Sequence, residues 1–251
     1  MALRLALATM CGRFVASTPP ARLADAFGGR LLDDEDWDRW APSWNVAPGA
    51  RALVVAHLGE RRIVAMKWGL VPPWAKSPAI GARMFNARVE TVATSRAYGP
   101  AFAKRRCLVA VDAFYEWSDA SPGRRRQPYA MMPTGHSPIA LAGLWERWLG
   151  EQNEELLTFT VITTPANPEV ARLHDRMPAI LAEKDWERWL DPGGLERDKA
   201  LGMLTPAPEG TLEAFPVSTA VNNATNDGPG LLQPVSPSEP TNPQLFPADT
   251  P

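Results

Sequence analysis

Cysteine and histidine are scarce in this chain, and each scarcity removes a class of function. The two cysteines, Cys11 and Cys107, form no C-x-x-C pair and too small a set for a disulfide framework. Neither a structural zinc site nor an oxidising compartment is therefore indicated. No apolar run approaches the roughly eighteen residues that a membrane span needs, so no membrane partner is expected. No G-x-G-x-x-G or P-loop pattern occurs, so a nucleotide cofactor has no support, and neither a metal nor any other cofactor is expected. A basic excess is missing too: the formal net charge is -2. Any affinity for nucleic acid must come from local groups rather than bulk attraction. Local basic runs do exist, at Arg61-Arg62, Lys104-Arg105-Arg106 and Arg124-Arg125-Arg126, set against an acidic run at 33–38. Taken singly, such runs read as solvated faces. No internal repeat is visible.

What is present suits an ordinary globular core. Hydrophobic residues make up 45% and charged residues 22% of 251, enough for one sizeable domain and short for two. Residues 1–9 carry one arginine and an apolar run too short for a signal peptide, so a cytoplasmic location is expected. From residue 236 onward, prolines alternate with serine, asparagine and threonine and offer little to bury. The expected organisation is a leader over 1–10, one domain over 11–235 and a disordered proline-rich tail over 236–251. A monomer is expected.

Periodicity places the elements. Ser17-Thr18-Pro19-Pro20 resembles a helix cap, and residues 21–27 have helical spacing that Gly28-Gly29 ends. Segments 52–57 and 63–68 read as a hairpin about Gly59-Glu60. Further strands are expected at 108–117, 129–132, 139–145 and 156–163, and helices at 90–98, 184–190 and 195–204. Strands in runs with inserted helices predict an α+β fold with an antiparallel or mixed sheet.

The most chemically specific feature is Met10-Cys11. A cysteine following a possible initiator methionine can become the first residue. It then carries an α-amine and a thiol two carbons apart. An aldehyde can condense with such an amine and be trapped by the sulfur as a five-membered thiazolidine, which an internal cysteine cannot do. The expectation is that Met10 is the true start and that residues 1–9 are a misassigned extension.

Three more polar islands stand out. In Asn86-Ala87-Arg88-Val89-Glu90-Thr91 an extended backbone would put the Asn86 amide and the Arg88 guanidinium on one side. Alone, Asn86 reads more readily as a residue that caps or turns the backbone and Arg88 as half of a surface ion pair. In Phe114-Tyr115-Glu116-Trp117 a carboxylate lies between aromatics at the end of an apolar strand, a setting that raises a carboxyl pKa and makes a proton donor near neutrality. The competing reading is an edge-strand glutamate facing water. Third, His174-Asp175-Arg176 has the one histidine with charged neighbours, just before Met177-Pro178. The tryptophan-rich loops around Trp44 and around Trp68 to Trp74 could stack unpaired bases, whereas Trp145, Trp148, Trp186 and Trp189 fall in packing patterns.

With those islands in this order, the chain resembles the SRAP family, the SOS-response-associated peptidases or abasic-site processing proteins. The resemblance runs from Cys11-Gly12-Arg13-Phe14 through Asn45-Val46-Ala47-Pro48-Gly49, Trp68-Gly69, the Asn86 and Glu116 islands and His174-Asp175-Arg176-Met177-Pro178 to Val221-Asn222-Asn223. It implies an α+β fold with a β-barrel-like core and peripheral helices. It also implies binding of single-stranded DNA and covalent attachment to abasic sites, with Cys11, Asn86, Glu116 and His174 catalytic and no cofactor. DNA contacts implied in the same way are Arg13, Asn45, Pro48, Trp74, Arg88 and Thr163. Two other functions stay open on the residues themselves: an N-terminal-nucleophile peptidase or amidase using Cys11, and a noncatalytic reader of single-stranded or modified DNA.

Overall fold

Alternation along the strands decides which faces meet. The structure, a computed structural model, describes residues 11–31, 40–118, 126–193 and 195–236. The leader, the acidic run at 33–38, Arg124-Arg125 and the tail from 237 lie outside the described residues. The elements, in chain order, are β1 (Phe14–Ala16), α1 (Pro20–Phe27), β2 (Arg30–Leu31), β3 (Ser43–Val46), β4 (Arg51–His57), β5 (Arg61–Trp68), β6 (Asn86–Arg88), α2 (Val89–Val92) and α3 (Gly99–Lys104). Then come β7 (Arg106–Val111), β8 (Ala113–Trp117), β9 (Pro128–Pro133), β10 (Ile139–Leu149), β11 (Glu155–Pro165), β12 (Arg176–Pro178), β13 (Ile180–Leu181), α4 (Trp186–Leu190), α5 (Arg197–Gly202) and β14 (Leu212–Pro216).

Five strands close on themselves. The order β11-β10-β7-β4-β5 is antiparallel throughout, and β5 returns to β11 in parallel through Lys67 with Thr158 and Trp68 with Phe159. This is a small mixed barrel, and closure leaves these strands without a free edge at that seam. Its lumen takes every second residue: Val54 and Ala56, Val64 and Met66, Val109 and Val111, Leu141, Phe159 and Val161. The alternate residues Leu53, Val55, Leu108, Ala110, Ala140, Ala142 and Ile162 face outward, against Phe27 of α1, Phe102 of α3, Trp189 of α4 and Ala200 of α5. Each large side chain so buried contributes about 1.5–3 kcal/mol. The expected α+β class, with a barrel-like core and peripheral helices, is what the chain forms.

A second, antiparallel sheet in the order β14-β9-β8-β1-β3 lies over one part of this core. Phe14 and Phe114 point into the barrel cluster, whereas Val15, Ala113, Tyr115 and Ala130 point the other way, onto Val217, Val221 and Leu231. Period-two geometry therefore assigns Glu116, two residues from Phe114, to the barrel side.

Four local expectations need correction. The apolar run 108–117 is two strands in different sheets. Asp112 turns the corner: its carboxylate accepts from Ser17 N (2.6 Å), Ser17 Oγ (2.8 Å), Thr18 N (2.9 Å) and Thr18 Oγ1 (2.5 Å). Ser17 and Thr18 are thereby spent on Asp112 and do not cap α1, whose proline sits in the first turn and whose end is Gly28 at φ 63°. The expected helix 90–98 stops at Val92, with a separate helix from Gly99 to Lys104. Trp68, expected at a binding loop, is fully buried and packs between Phe14 (4.8 Å) and Phe159 (6.2 Å).

The basic run Lys104-Arg105-Arg106 serves the fold. Buried Arg106 donates to the carbonyls of Phe102, Ala103, Trp189 and Asp191, gathering the ends of α3 and α4, while Arg105 pairs with Glu146. No described helix is long and apolar enough to cross a membrane.

Candidate functional site

Cys11 sits where the two sheets meet. It is fully buried within the barrel cluster beside Phe14 and Phe114. Its backbone takes φ 38°, a left-handed value that a non-glycine residue adopts only at a cost of order 1–3 kcal/mol. The Cys11 backbone nitrogen donates to Glu116 Oε1 at 2.7 Å. Burial, and then the Glu116 charge, push the Cys11 thiol pKa well above its ordinary value, which keeps the sulfur protonated.

Glu116 is 1% exposed on β8, which runs between β1 and β9. The edge-strand reading of this residue is thus replaced by a carboxyl sealed among apolar side chains. Desolvation is the main cause of a pKa pushed up to about 8, with the Cys11 N–H drawing it down and the nearby Asp175 charge adding to the rise. Near neutrality this group is mostly a neutral acid. It can give a proton as well as take one.

Asn86 reaches the same place from β6. That strand is placed by parallel pairing with β11, from Val161 opposite Asn86 to Thr163 opposite Arg88. Tyr98 Oη donates to the Asn86 carbonyl at 3.1 Å. Upstream, Gly69 and Gly81 meet backbone to backbone: a Cβ on Gly69 would stand 2.5 Å from the Gly81 carbonyl oxygen, and one on Gly81 2.6 Å from that of Gly69. Only glycine allows that approach, and it seats the turn over residues 78–83 that delivers Asn86. The Asn86 Nδ2 then lies 3.5 Å from the Cys11 carbonyl oxygen, a long contact.

His174 comes from the loop before β12. Asn167 accepts from Val170 N at 2.9 Å and shapes the turn, and Val170 O accepts from His174 N at 2.9 Å. Leu173 and Met177, flanking the loop, join the same apolar cluster as Cys11. The His174 ring, with its side chain 13% exposed, has Nδ1 3.1 Å from the Arg176 N–H and 2.9 Å from Asp175 Oδ1. Arg176 makes a two-pronged pair with Glu90, at 2.6 and 3.0 Å, and a bond to Thr163 O at 2.7 Å. Glu90 is held below the usual carboxylate range, chiefly by its hydrogen bonds from Arg176.

The residues expected at a DNA surface divide. Trp74 is 48% exposed with the Arg96 guanidinium 5.0 Å above its ring. Arg88 is exposed, and Arg13 and Pro48 are partly so. Burial lowers the Arg13 pKa, and its Nε is buried without a hydrogen-bond partner among the described residues. Asn45 and Thr163, by contrast, lie inside the fold. Asn45 Nδ2 donates to the carbonyls of Val221, Asn223 and Asn226. The Thr163 hydroxyl, 3.3 Å from Ala87 O, offers no surface to a ligand in this conformation. Sequence reasoning missed Tyr98, Asn167 and the Glu90–Arg176 pair. The Asn167-Pro168 turn signal and the charge complementarity of Glu90 and Arg176 were the available clues.

Comparison with known proteins finds the same region. The family described as "SOS response associated peptidase (SRAP)" matches residues 10–224. The abasic site processing protein YoqW of Bacillus subtilis is 34% identical over 226 residues, covering 89% of this chain and 99% of that protein. YoaM of the same organism, also named an abasic site processing protein, is 36% identical over 230 residues, with 89% and 97% covered. The abasic site processing protein HMCES of Gallus gallus is 32% identical over 266 residues, with 90% and 78% covered. A crystal structure of a protein from Bacteroides thetaiotaomicron superposes with a TM-score of 0.80 at 23% identity, covering 90% of this chain and all of the other. At that identity the likeness speaks for the fold alone.

Proposed function

The chain belongs to the SOS response associated peptidase family, and from that premise we propose that it processes abasic sites in single-stranded DNA by forming a thiazolidine through residue 11. The observation that carries this reading is the 2.7 Å bond between the Cys11 nitrogen and a buried Glu116 oxygen, with the cysteine thiol enclosed beside them. A carboxyl in that position can take a proton from an attacking amine and return it to a departing hydroxyl.

The chemistry requires residue 11 to be the first residue, because the peptide nitrogen of an internal cysteine is not a nucleophile. The family match, over residues 10–224, takes in Cys11 near its first position. A free α-amine with a pKa of roughly 7.7–8.0 is about a tenth to a fifth neutral at pH 7, enough to attack. An abasic deoxyribose is mainly a closed ring; it opens as the ring oxygen gains a proton and the C1′ hydroxyl loses one, with His174 as the acid group that hydrogen-bonds the ring oxygen. The amine adds to the C1′ aldehyde, and Glu116 protonates the carbinolamine hydroxyl as water leaves and the C1′=N bond forms. The Cys11 S–H then adds across that bond, sulfur to C1′ and proton to nitrogen. The sum is amine plus thiol plus aldehyde giving a thiazolidine and one water. Asn86 orients the sugar or the amine. If a C2′ proton is lost before sulfur closes the ring, β-elimination cleaves the strand, so weak lyase activity accompanies the adduct. Arg13 and Arg88 meet phosphates without reading sequence, and Trp74 offers a stacking face.

The first experiment mixes protein whose intact mass shows it to begin at Cys11 with single-stranded DNA bearing one abasic site. A denaturation-resistant adduct is expected, lost in Cys11→Ala. No adduct from such protein sinks the reading.

A second reading, N-terminal-nucleophile peptidase activity, draws on the same bond. A neutral Glu116 against the Cys11 nitrogen is placed to protonate the leaving amine of the bond that precedes it. Cys11→Ser separates the two, since a serine can act in an amidase but cannot form a thiazolidine.

A further inference from the structure

His174 Nδ1 faces two groups with opposite demands. The Arg176 backbone N–H, 3.1 Å away, requires a lone pair there, whereas Asp175 Oδ1 at 2.9 Å favours a proton. The Asp175 side chain is 85% exposed, so water screens its pull. The amide hydrogen cannot leave, and pressing it against a second N–H would forfeit the hydrogen bond at a partly buried site. The lone pair therefore stays on Nδ1, which puts the proton of the neutral ring on Nε2.

That outcome depends on where the Arg176 backbone stands; pairing of β12 with β11, Arg176 opposite Pro165, sets the strand, and the Arg176 side chain adds a second anchor. Arg176 spans two elements: its guanidinium grips both Glu90 oxygens in α2 and the Thr163 carbonyl in β11. Bidentate pairs of this kind fix geometry as well as adding energy. Glu90 lies two residues beyond the β6 segment that carries Asn86 and Arg88, so one ion pair ties the amide side of the site to the histidine side. The geometry points to Arg176, clamped by Glu90, as a positioning residue that holds the His174 ring as an Nε2–H donor. The tautomer stands on the hydrogen bonds alone; its consequence for rate rests on the proposed role of His174 at the sugar ring oxygen, which a neutral ring serves by directing its Nε2–H there as a hydrogen bond.

Nitrogen-15 imidazole spectra of the full chain at a pH where the rings are neutral report the tautomer directly, with His174 assigned by its loss in His174→Gln. The expected result is an Nε2–H ring in the wild type and a mixture of both tautomers in Glu90→Ala. Glu90→Gln, which keeps one acceptor, falls between them and decides the matter if the alanine variant does not fold. Adduct formation at saturating DNA should slow roughly tenfold in Glu90→Ala, a part of the hundredfold or more that general acid catalysis supplies. Affinity for undamaged single strands should not weaken, because the lost charge is negative. A wild-type proton on Nδ1 overturns the proposal. So does an unchanged Nε2–H ring in the folded variants, even if they react slowly. A tautomer shift in protein that never forms an adduct leaves the clamp standing and removes the proposed function instead.

Discussion

Glu116 is the residue whose surroundings most change its chemistry, and the change has a thermodynamic sign. Its pKa, pushed up to about 8 by burial, lies above the roughly 4.3 of a free glutamate. The folded protein thus holds a proton that the unfolded chain releases. This contribution to stability is complete below about pH 4.5 and is lost as pH rises towards 8. Glutamine keeps the acceptor for the Cys11 N–H and does not titrate. Glu116→Gln is accordingly expected to match the wild type at acid pH and to exceed it increasingly across that window, by at least about 1 kcal/mol, or roughly 2–4 °C in Tm, at pH 8. Thermal melts of both proteins over a pH series check this; a difference that shrinks with rising pH would falsify the assignment of a buried neutral acid. At this scale the sequence was legible where a polar residue stood inside an apolar strand, as Glu116 does. It was less so where the same polarity serves the interior: Asn45 was expected at a DNA surface, and its amide is engaged by three backbone carbonyls.

Elements show a parallel division. The hairpin of β4 and β5, the long strands β10 and β11 and helix α1 were all visible, because period-two and helical spacing survive intact over their length. The break between β7 and β8 was not. The run is apolar on both sides of Asp112, and the reason for the corner is the carboxylate's partners at Ser17 and Thr18, far away in the chain. Short strands such as β6, β12 and β14 take their extended form from pairing with β11 and β9, which no local period records. Asp112→Ala removes four hydrogen bonds at the corner that carries β1 and β8 into register, and leaves two backbone N–H groups without it. A loss of roughly 2–4 kcal/mol is expected by urea unfolding. Sheet pairing between β1 and β8 should suffer more than the barrel, seen as faster amide exchange at Val15 and Tyr115 than at Val54.

Across the whole molecule, the candidate site is assembled from distant stretches, and the segment after β14 latches the second sheet, whose strand β8 carries Glu116. Trp44 N donates to Asp227 Oδ1 at 2.6 Å, Trp117 Nε1 to Asn222 Oδ1 at 2.7 Å, and Asn45 Nδ2 to three carbonyls between Val221 and Asn226. Asn45→Ala is expected to leave those carbonyls unpaired and to cost roughly 1–3 kcal/mol. The loss should be local, so limited proteolysis ought to cut within residues 221–227 before the barrel opens.

This arrangement also has a meaning in time. A ribosome releases Cys11 first among the site residues, then Asn86, Glu116 and His174, and only afterwards β14 and the segment that covers the outer face of the second sheet. The residue made earliest is therefore enclosed late, since the carboxyl that meets its nitrogen and the strands that bury its thiol do not yet exist when it emerges. Any enzyme that trims the nascent chain to expose residue 11 has its opening during synthesis, and that opening narrows once β8 brings Glu116 to the Cys11 nitrogen.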